Sequence, residues 1–392
     1  MLLSPEHDIL LSIWHQKIQE ISGKGGRMKI KEKKEKKIRR ILVRVFLGMA
    51  VLIFTGAIIV LATQISGKNS LYSHADSGEM IATLSALATE LGGTQEQVEV
   101  VEEDEDWQPG DIRYNGVHYR YNEDILTFLF LGIDKMSEVA PVEDAIDGGQ
   151  SDAVFLLVLN PHSGEISVIG IPRDTMTDVE IYDEKGVYWG TEKAQLSIQH
   201  GYGDGAQLSC ERSVKAVSRL FYGLPIHGYC AINMGAIPFI NDAVGGIELS
   251  AVETMNYPEF KVKEGETVHL EGMEAYYYLR SRDTDSFNSA GRRLERQKQY
   301  LTAYASAAIR AVKEDLTFPL TLYNTLSKYM VTDIGVDEIS YLAGQAAGYH
   351  FSEESLRSLQ GATVQGEIYE EFYPDEQALY ELILQVFYEE VE

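Results

Sequence analysis

The run AVFLLVLNPHSGEISVIGI, residues 153–171, decides the fold. Two almost continuously apolar segments, 153–159 and 165–171, flank the turn-rich link 160–164. Continuous apolar runs of this length are typical of central strands covered on both faces. A five-residue link containing Pro and Gly is typical of an antiparallel hairpin. We therefore predict a buried hairpin at the centre of a sheet.

A third apolar run, TFLFLGI at residues 127–133, precedes this hairpin. If it lies antiparallel to the run 153–159, three polar side chains meet at one edge of the sheet, namely Asp134, Asp152 and Arg173. Taken singly, an Asp beside a strand is more often a turn residue. Their convergence instead predicts an oxygen-ligand site for Mg²⁺, which proteins usually hold with one or two carboxylates and substrate phosphates.

The chain then alternates between helical and strand patterns. Helices are predicted at 206–222 and 234–243, and strands at 225–233 and 246–250. Alternation of this kind favours an α/β fold, in which helices pack on both sides of a mixed sheet. We expect an α/β/α sandwich with a central mixed β-sheet, preceded by one N-terminal transmembrane helix.

Five arginines are concentrated in a region that is otherwise acidic. They are Arg280, Arg282, Arg292, Arg293 and Arg296, whereas residues 45–392 as a whole contain 22 basic and 55 acidic residues. A guanidinium group is a planar fork of donors that matches phosphate oxygens two at a time, so the cluster indicates an anion site. Surface ion pairs with the surplus acids are the alternative.

The spacing of these arginines favours the anion site. Residues 275–279 have the pattern of a strand, so Arg280 and Arg282 would point to the same face. A helix is predicted from 291 to about 313, with Asn288 or Ser289 as its N-cap.

One face of that helix carries Arg293, Arg296 and Gln297. Arginines in a first helical turn oppose the helix dipole unless an anion joins them.

The N-terminal region predicts a membrane anchor. Residues 1–44 contain 12 basic and 5 acidic residues, and residues 45–67 carry no charge and are long enough to span a bilayer once. The positive-inside rule places the N-terminus in the cytoplasm. A cleaved signal peptide is disfavoured, because both segments exceed the usual lengths. We interpret 68–111 as an extracytoplasmic linker, 112–312 as the main extracytoplasmic domain and 313–392 as a part that completes it.

Two cysteines, Cys210 and Cys230, lie in a predicted helix and a predicted strand. One structural disulfide and two small buried thiols are equally compatible with the sequence, because pairing depends on geometry.

The ordered motifs resemble the LytR-CpsA-Psr phosphotransferases of bacterial cell envelopes over residues 124–312. The matching stretches are Gly132-Ile-Asp134, Ser151-Asp152, Ile171-Pro-Arg173-Asp-Thr175, Lys193, Asp242-Ala-Val-Gly-Gly-Ile247, Leu270-Glu-Gly272 with Ala275, Leu279-Arg-Ser-Arg282 and Arg293-Leu-Glu-Arg-Gln297. The resemblance implies an enzyme that moves a wall polymer, such as teichoic acid or capsule, from a polyprenyl pyrophosphate lipid to peptidoglycan.

It also implies residue roles. Asp134 and Asp152 would bind Mg²⁺, and the pyrophosphate would be held by a set of side chains that comprises Arg173, Arg280, Arg282, Arg293 and Gln297. Lys193 and Arg296 are further candidates for substrate binding. The family often has an arginine where this chain has Met136, and Arg292 and Arg293 both follow Gly291. Arg293 is preferred because it lies four residues before Gln297.

Two other functions remain open. The domain could bind polyprenyl phosphates without catalysis, as a receptor or carrier. A transcriptional attenuator is disfavoured, because the predicted cytoplasmic part has only 44 residues and no recognisable DNA-reading motif, so no nucleic-acid partner is expected. Asp174 is a candidate for a general base, and helix or turn capping explains it equally well.

Overall fold

The computed structural model describes residues 12, 16, 60–73, 77–91, 106–281, 289–345 and 348–391. The chain forms two compact units, Met1–Thr63 and Gln64–Glu392, and the second contains every element described below. The predicted leader 1–44, apart from Ser12 and Gln16, and the predicted transmembrane segment, apart from residues 60–67, lie outside the described residues. Within the described ranges, no helix has the length and apolar character needed to cross a bilayer.

The second unit combines short strands with eight labelled α-helices. The strands are β1 (Ile112–Tyr114), β2 (Val117–Tyr121), β3 (Leu126–Ile133), β4 (Ser151–Asn160), β5 (Glu165–Ile171), β6 (Met176–Tyr182), β7 (Tyr188–Gln195), β8 (Gly228–Asn233), β9 (Ile247–Ser250), β10 (Met255–Asn256), β11 (Lys261–Val262), β12 (Thr267–Leu270), β13 (Met330–Thr332), β14 (Leu356–Ser358), β15 (Gly361–Gln365), β16 (Glu370–Pro374) and β17 (Tyr388–Glu390). The helices are α1 (Gly78–Leu91), α2 (Gln207–Leu220), α3 (Ile237–Ala243), α4 (Met273–Arg280), α5 (Ser289–Glu314), α6 (Phe318–Leu326), α7 (Val336–Gln345) and α8 (Glu376–Phe387).

A six-stranded mixed sheet of order β13-β8-β3-β4-β5-β14 forms the centre. The predicted hairpin is confirmed: β4 pairs antiparallel with β5, and Gly164 closes the link in a positive-φ conformation at +74°. Strand β3 is antiparallel to β4 and parallel to β8, while β5 is parallel to β14. The predicted α/β fold with a central mixed sheet is therefore confirmed.

Helices cover both faces of this sheet. On one face, Leu129, Leu131 and Leu156 belong to a core that also contains buried side chains of α1, α2 and α8. Alternate positions, such as Phe130 and Phe155, lie on the opposite face, toward α3 and α5. This alternation follows from the period of two along a strand.

Parts of the predicted linker belong to the folded unit. Leu71, Met80 and Leu84 are fully buried, and the Tyr72 hydroxyl donates to the Asp124 carbonyl at 2.6 Å. At the other end of the chain, β13 and β14 form the edges of the central sheet and α8 packs in its core.

The strand predicted at 275–279 is wrong, because these residues form helix α4. Helical spacing buries Ala275 and Tyr278 completely on one side, in a cluster with Ile247 and Leu270. Ser281 leaves the helix in an extended conformation, and Arg282 lies outside the described residues. The period-two argument for Arg280 and Arg282 therefore does not hold.

Helix α5 bears out the predicted helix from 291 to about 313, and α2 and β8 occupy the predicted ranges 206–222 and 225–233. Helix α2 packs in the core through Ala216 and Val217. Cys210 and Cys230 are two buried, unbridged thiols. Burial raises the pKa of both thiols, that of Cys230 to about 12.

Candidate functional site

A cavity of about 1120 Å³, which we call the arginine-lined cavity, lies at the edge of the sheet where β3 ends and β4 begins. Asp134, Asp152 and Arg173 all line it, as the antiparallel arrangement predicts. The end of α4 contributes Arg280, and the first turns of α5 contribute Arg293. These two carboxylates and three guanidinium groups are distant in the sequence but line the same cavity.

Asp152 is nearly buried and is held between two arginines. Its Oδ2 accepts a hydrogen bond from Arg293 Nη1 at 2.8 Å, and its Oδ1 accepts one from Arg173 Nη1. The Arg293 side chain is only 3% exposed. A buried charge is tolerated when it is paired and hydrogen-bonded, so this carboxylate fixes both guanidinium groups at the cavity wall.

Arg173 has further partners around the cavity. Its Nη2 donates to Gln150 Oε1 and to Ser197 Oγ, the latter at 3.2 Å, and its Nε lies 3.3 Å from Asp174 Oδ1. Gln195 Nε2 donates to the same Asp174 oxygen at 3.2 Å. The guanidinium orientation is therefore set by contacts from several elements.

Asp134 and Arg280 form a looser pair. Asp134 Oδ1 lies 3.5 Å from Arg280 Nε, and both side chains are about half exposed. The Arg280 guanidinium also lies 6.0 Å from the centre of the Tyr276 ring. Such an exposed pair contributes little to stability, so both groups can rearrange around a ligand at low cost.

Arg292 and Arg296 have different contacts from those of Arg293. Arg292 points instead to Glu253, with Nε 3.6 Å from Oε2. Arg296 is 2% exposed and does not line the cavity itself; it donates to Glu253 and to the carbonyl of Ser281, a residue of the cavity lining. Arg296 therefore holds the end of α4 in place.

Two other predicted residues lie elsewhere. Lys193, on β7, is exposed and pairs with Asp178 at 3.0 Å, outside the lining of this cavity. Gln297 lines a separate apolar cavity instead.

The apolar cavity has a volume of about 280 Å³ and lies between the sheet and helices α3 and α5. Its walls include Phe130 and Phe155 from the sheet and Ile240 and Leu301 from the helices. Arg280 lines both cavities. A charged site therefore adjoins an apolar one, which suits a molecule with an anionic head and an apolar tail.

The outer lip of the arginine-lined cavity consists of residues that no sequence pattern indicated. The lip is formed by the turn between β15 and β16, with Ile368 and Tyr369, and by Tyr257 and Glu259. The backbone N–H of Phe372 donates to the Asp174 carbonyl at 2.9 Å and fixes this turn beside the site. No local sequence pattern predicts this contact, because it joins residues almost 200 positions apart.

Comparison with known proteins identifies a family. The model of the LytR_cpsA_psr family matches residues 87–382. A protein named polyisoprenyl-teichoic acid–peptidoglycan teichoic acid transferase TagU from Oceanobacillus iheyensis is 27% identical over 237 residues, which is 60% of this chain and 68% of the relative. The protein of the same name from Halalkalibacterium halodurans is 26% identical over 255 residues, covering 65% and 76% of the two chains.

Solved structures share the fold. Protein gbs0355 from Streptococcus agalactiae aligns with a TM-score of 0.52 at 20% identity, covering 67% of this chain and 86% of that one. TagV of B. subtilis aligns with a TM-score of 0.50 at 22% identity, covering 67% and 97%.

Proposed function

The chain belongs to the LytR-CpsA-Psr family, and from this premise we propose that it transfers a glycopolymer from a polyprenyl pyrophosphate lipid to peptidoglycan. The observation that carries the proposal is the arginine-lined cavity that adjoins an apolar cavity at Arg280. A pyrophosphate would bind at the arginines, and the start of the polyprenyl chain would enter the apolar cavity. The TagU relatives, named as teichoic acid transferases, support a cell-wall polymer as the transferred group.

The arginines suit the charge that develops in this reaction. The acceptor hydroxyl forms a new phosphoester bond, the phosphoanhydride bond of the donor breaks, and polyprenyl phosphate leaves. Negative charge develops on the bridging and leaving oxygens as that bond breaks, and the guanidinium groups of Arg173, Arg280 and Arg293 stabilise it. Because Asp152 already orients two of them, little reorganisation is needed when the donor binds.

The donor set also fits Mg²⁺. Among the described residues that line the cavity, five carboxylates face three guanidinium groups, so a pyrophosphate alone would add to an excess of negative charge. Asp134 and Asp152 would hold the ion together with phosphate oxygens, although the described residues contain no cluster of three or more potential ligands. When bound, Mg²⁺ would neutralise phosphate charge in the transition state.

Asp174 is the proposed recipient of the proton of the acceptor hydroxyl. Asp174 lines the cavity and is oriented by Arg173 and Gln195. It would accept the proton as the hydroxyl attacks, a modest contribution compared with positioning the two substrates.

The location of the enzyme belongs to the same proposal. The uncharged segment 45–67 and the basic leader before it would anchor the chain in the cell membrane, with the N-terminus in the cytoplasm and the catalytic domain outside. The lipid substrate would then lie in the same membrane as its enzyme.

A transfer assay on the full chain tests the proposal. The donor is a polyprenyl pyrophosphate with a radiolabelled glycan, the acceptor is a set of peptidoglycan oligomers, and the reaction is run with and without Mg²⁺. We expect Mg²⁺-dependent transfer that is lost in Asp152→Asn, because the neutral amide keeps one acceptor oxygen where Arg173 and Arg293 need two and loses the charge that pairs with them. Asp178→Asn, at an exposed carboxylate outside the cavity, is the matched control and should keep the wild-type rate.

Two outcomes contradict parts of this proposal. Donor binding without transfer across several glycans would favour a receptor or carrier. Transfer that is unaffected by removal of Mg²⁺ would exclude the metal role of Asp134 and Asp152.

A further inference from the structure

A second polar cavity, of about 590 Å³, adjoins the arginine-lined cavity. Gln150 and Ile198 line both, so the two spaces meet at these residues. The far wall consists of residues 182–185, at the end of β6 and in the turn that follows. The volume lies within the range of about 300–1,000 Å³ typical of small-molecule sites. We call this space the side cavity.

We propose that the side cavity binds the acceptor glycan and presents its hydroxyl to the donor phosphate. The inference rests on the proposed function, because it assigns the second substrate of the same reaction. Gln150 lies at the junction, where its side-chain oxygen accepts a hydrogen bond from Arg173 Nη2. A sugar in the side cavity would therefore lie next to the group that holds the phosphate.

Two tyrosines give the side cavity the mixed surface that a sugar ring requires. Tyr182 and Tyr202 line it with their ring centres 6.4 Å apart. An aromatic side chain offers an apolar face to the C–H groups of a sugar and a hydroxyl to its oxygens. The site thus matches a neutral, hydroxyl-rich ligand.

The Tyr182 ring and the backbone at Tyr202 are held in place before any ligand binds. The guanidinium of Arg212 lies 3.4 Å from the centre of the Tyr182 ring and donates to the Tyr202 carbonyl at 3.0 Å. The Tyr182 hydroxyl donates to Glu180 at 2.7 Å, and Glu180 also pairs with Arg219 at 2.8 Å. A preformed wall reduces the entropy lost on binding.

The charges divide the two substrates between the two cavities. The charged groups among the described residues that line the side cavity are Asp183, Glu184 and Lys185, without a guanidinium group. The guanidinium groups that can bind a phosphate with two hydrogen bonds line the arginine-lined cavity. Carboxylates, in contrast, accept hydrogen bonds from sugar hydroxyls. The donor therefore binds at the arginines, and the side cavity accepts the uncharged sugars of the acceptor.

Glu184 is the better carboxylate to test. Asp183 accepts hydrogen bonds from the backbone N–H groups of Lys185 at 2.9 Å and Val187 at 2.8 Å, so it shapes the turn. Glu184 is exposed at the cavity, and its replacement leaves those bonds intact.

The first experiment measures binding of the N-acetylglucosamine tetramer to the full chain by saturation-transfer NMR. We expect wild-type protein and Tyr202→Phe to bind, and Tyr202→Ala to bind about tenfold more weakly because it loses the ring. Glu184→Gln, which keeps the fold of the turn, should also weaken binding. The control is Tyr373→Ala, at an exposed tyrosine that lines none of the three cavities. Absence of wild-type binding, or equal binding by both Tyr202 variants, would overturn the proposal.

The second experiment separates the two glycans of the reaction. In the transfer assay, Tyr202→Ala should raise the KM for the peptidoglycan acceptor and leave the KM for the lipid donor unchanged. A raised donor KM alone would assign the side cavity to the donor glycan and overturn the proposal.

The same two assays distinguish this inference from the function on which it rests. If wild-type protein binds the tetramer through Tyr202 but transfers nothing, the glycan site stands and the proposed transferase function fails. If it transfers normally and Tyr202→Ala does not change the acceptor KM, the transferase stands and the side cavity is not the acceptor site.

Discussion

Asp152 shows how one buried side chain can organise a site. Its two oxygens accept hydrogen bonds from Arg173 and Arg293, which come from different elements. Taking two guanidinium groups and a carboxylate out of water costs free energy that packing alone does not restore. Such an arrangement is retained when orientation matters, and here it aligns two forks of donors toward one cavity.

The adjacent arginines at the start of α5 allow a matched comparison. We expect Arg293→Lys to lower kcat/KM for transfer by about 100-fold, since lysine cannot keep the bidentate geometry at Asp152 and the donor. Arg292→Lys should change it little, because Arg292 is half exposed and points to Glu253. Steady-state kinetics of the two variants measure the difference. Equal losses would mean that both arginines contact the donor.

The buried side chain of His200 makes the free energy of unfolding depend on pH. Burial lowers its pKa to about 4, while its Nδ1 donates to the Gly149 carbonyl at 3.0 Å. In the unfolded chain the His200 imidazole is protonated below about pH 6.5, whereas in the folded protein it stays neutral down to about pH 4. The stability that depends on the neutral imidazole is therefore complete above pH 6.5 and decreases as the pH falls toward 4. The expected loss is about 3 kcal/mol, measured by urea unfolding at several pH values.

Two histidine variants check that assignment. His200→Gln keeps a donor for Gly149 but cannot titrate, so the decrease between pH 6.5 and 4.5 should become shallower. His162→Gln, in the exposed turn between β4 and β5, should leave the wild-type profile intact. A profile that is the same in His200→Gln would assign the decrease to other groups.

Helix α4 marks the limit of what the sequence could predict. The apolar runs that became β3, β4 and β5 are continuous enough to identify buried strands, and the edge where Asp134 and Asp152 meet follows from their antiparallel order. In α4, tyrosines favour a strand locally, whereas packing of Ala275 and Tyr278 against distant residues selects a helix. The lip between β15 and β16 likewise depends on a contact that no local pattern contains.

We infer that Arg296 supports the end of α4 and does not contact the substrate. We expect Arg296→Met to lower the free energy of unfolding by about 3 kcal/mol, because Glu253 and the Ser281 carbonyl lose a buried donor. Arg292→Met, which removes a half-exposed partner of the same Glu253, should cost less than about 1 kcal/mol. Urea unfolding measures both variants.

The kinetic effect of Arg296→Met separates support from direct contact. Since Ser281 directly follows Arg280, a loosened helix end should lower transfer even under conditions where the variant is fully folded. A stability loss with unchanged transfer would restrict Arg296 to a purely structural role. A loss of transfer activity without any loss of stability would instead indicate that Arg296 contacts the substrate.

In the second unit, an arginine-lined cavity at the edge where β3 ends and β4 begins adjoins an apolar cavity on one face of the sheet. The arginine-lined cavity is lined by residues that lie between Asp134 and Glu370 in the sequence. The apolar cavity is lined by alternate residues of β3 and β4 together with residues of α3 and α5. Because side chains alternate between the two faces of a strand, one face can fill the core while the other leaves space. The continuous apolar runs predict strands covered on both faces, but the volume that remains depends on how far α5 lies from the sheet.

Filling the apolar cavity tests whether it holds the lipid. Leu301→Trp adds a ring inside it, so we expect about tenfold weaker binding of a long-chain polyprenyl pyrophosphate donor, because apolar surface that the lipid would bury is lost. A short-chain donor that reaches only the arginines should bind as before. Leu320→Trp, at an exposed leucine of α6, is the control for the added ring. If Leu301→Trp weakened both donors equally, the substitution would have disturbed the arginines. If it weakened neither, the polyprenyl chain would lie elsewhere, and Arg280 would join the two cavities without guiding an amphipathic substrate.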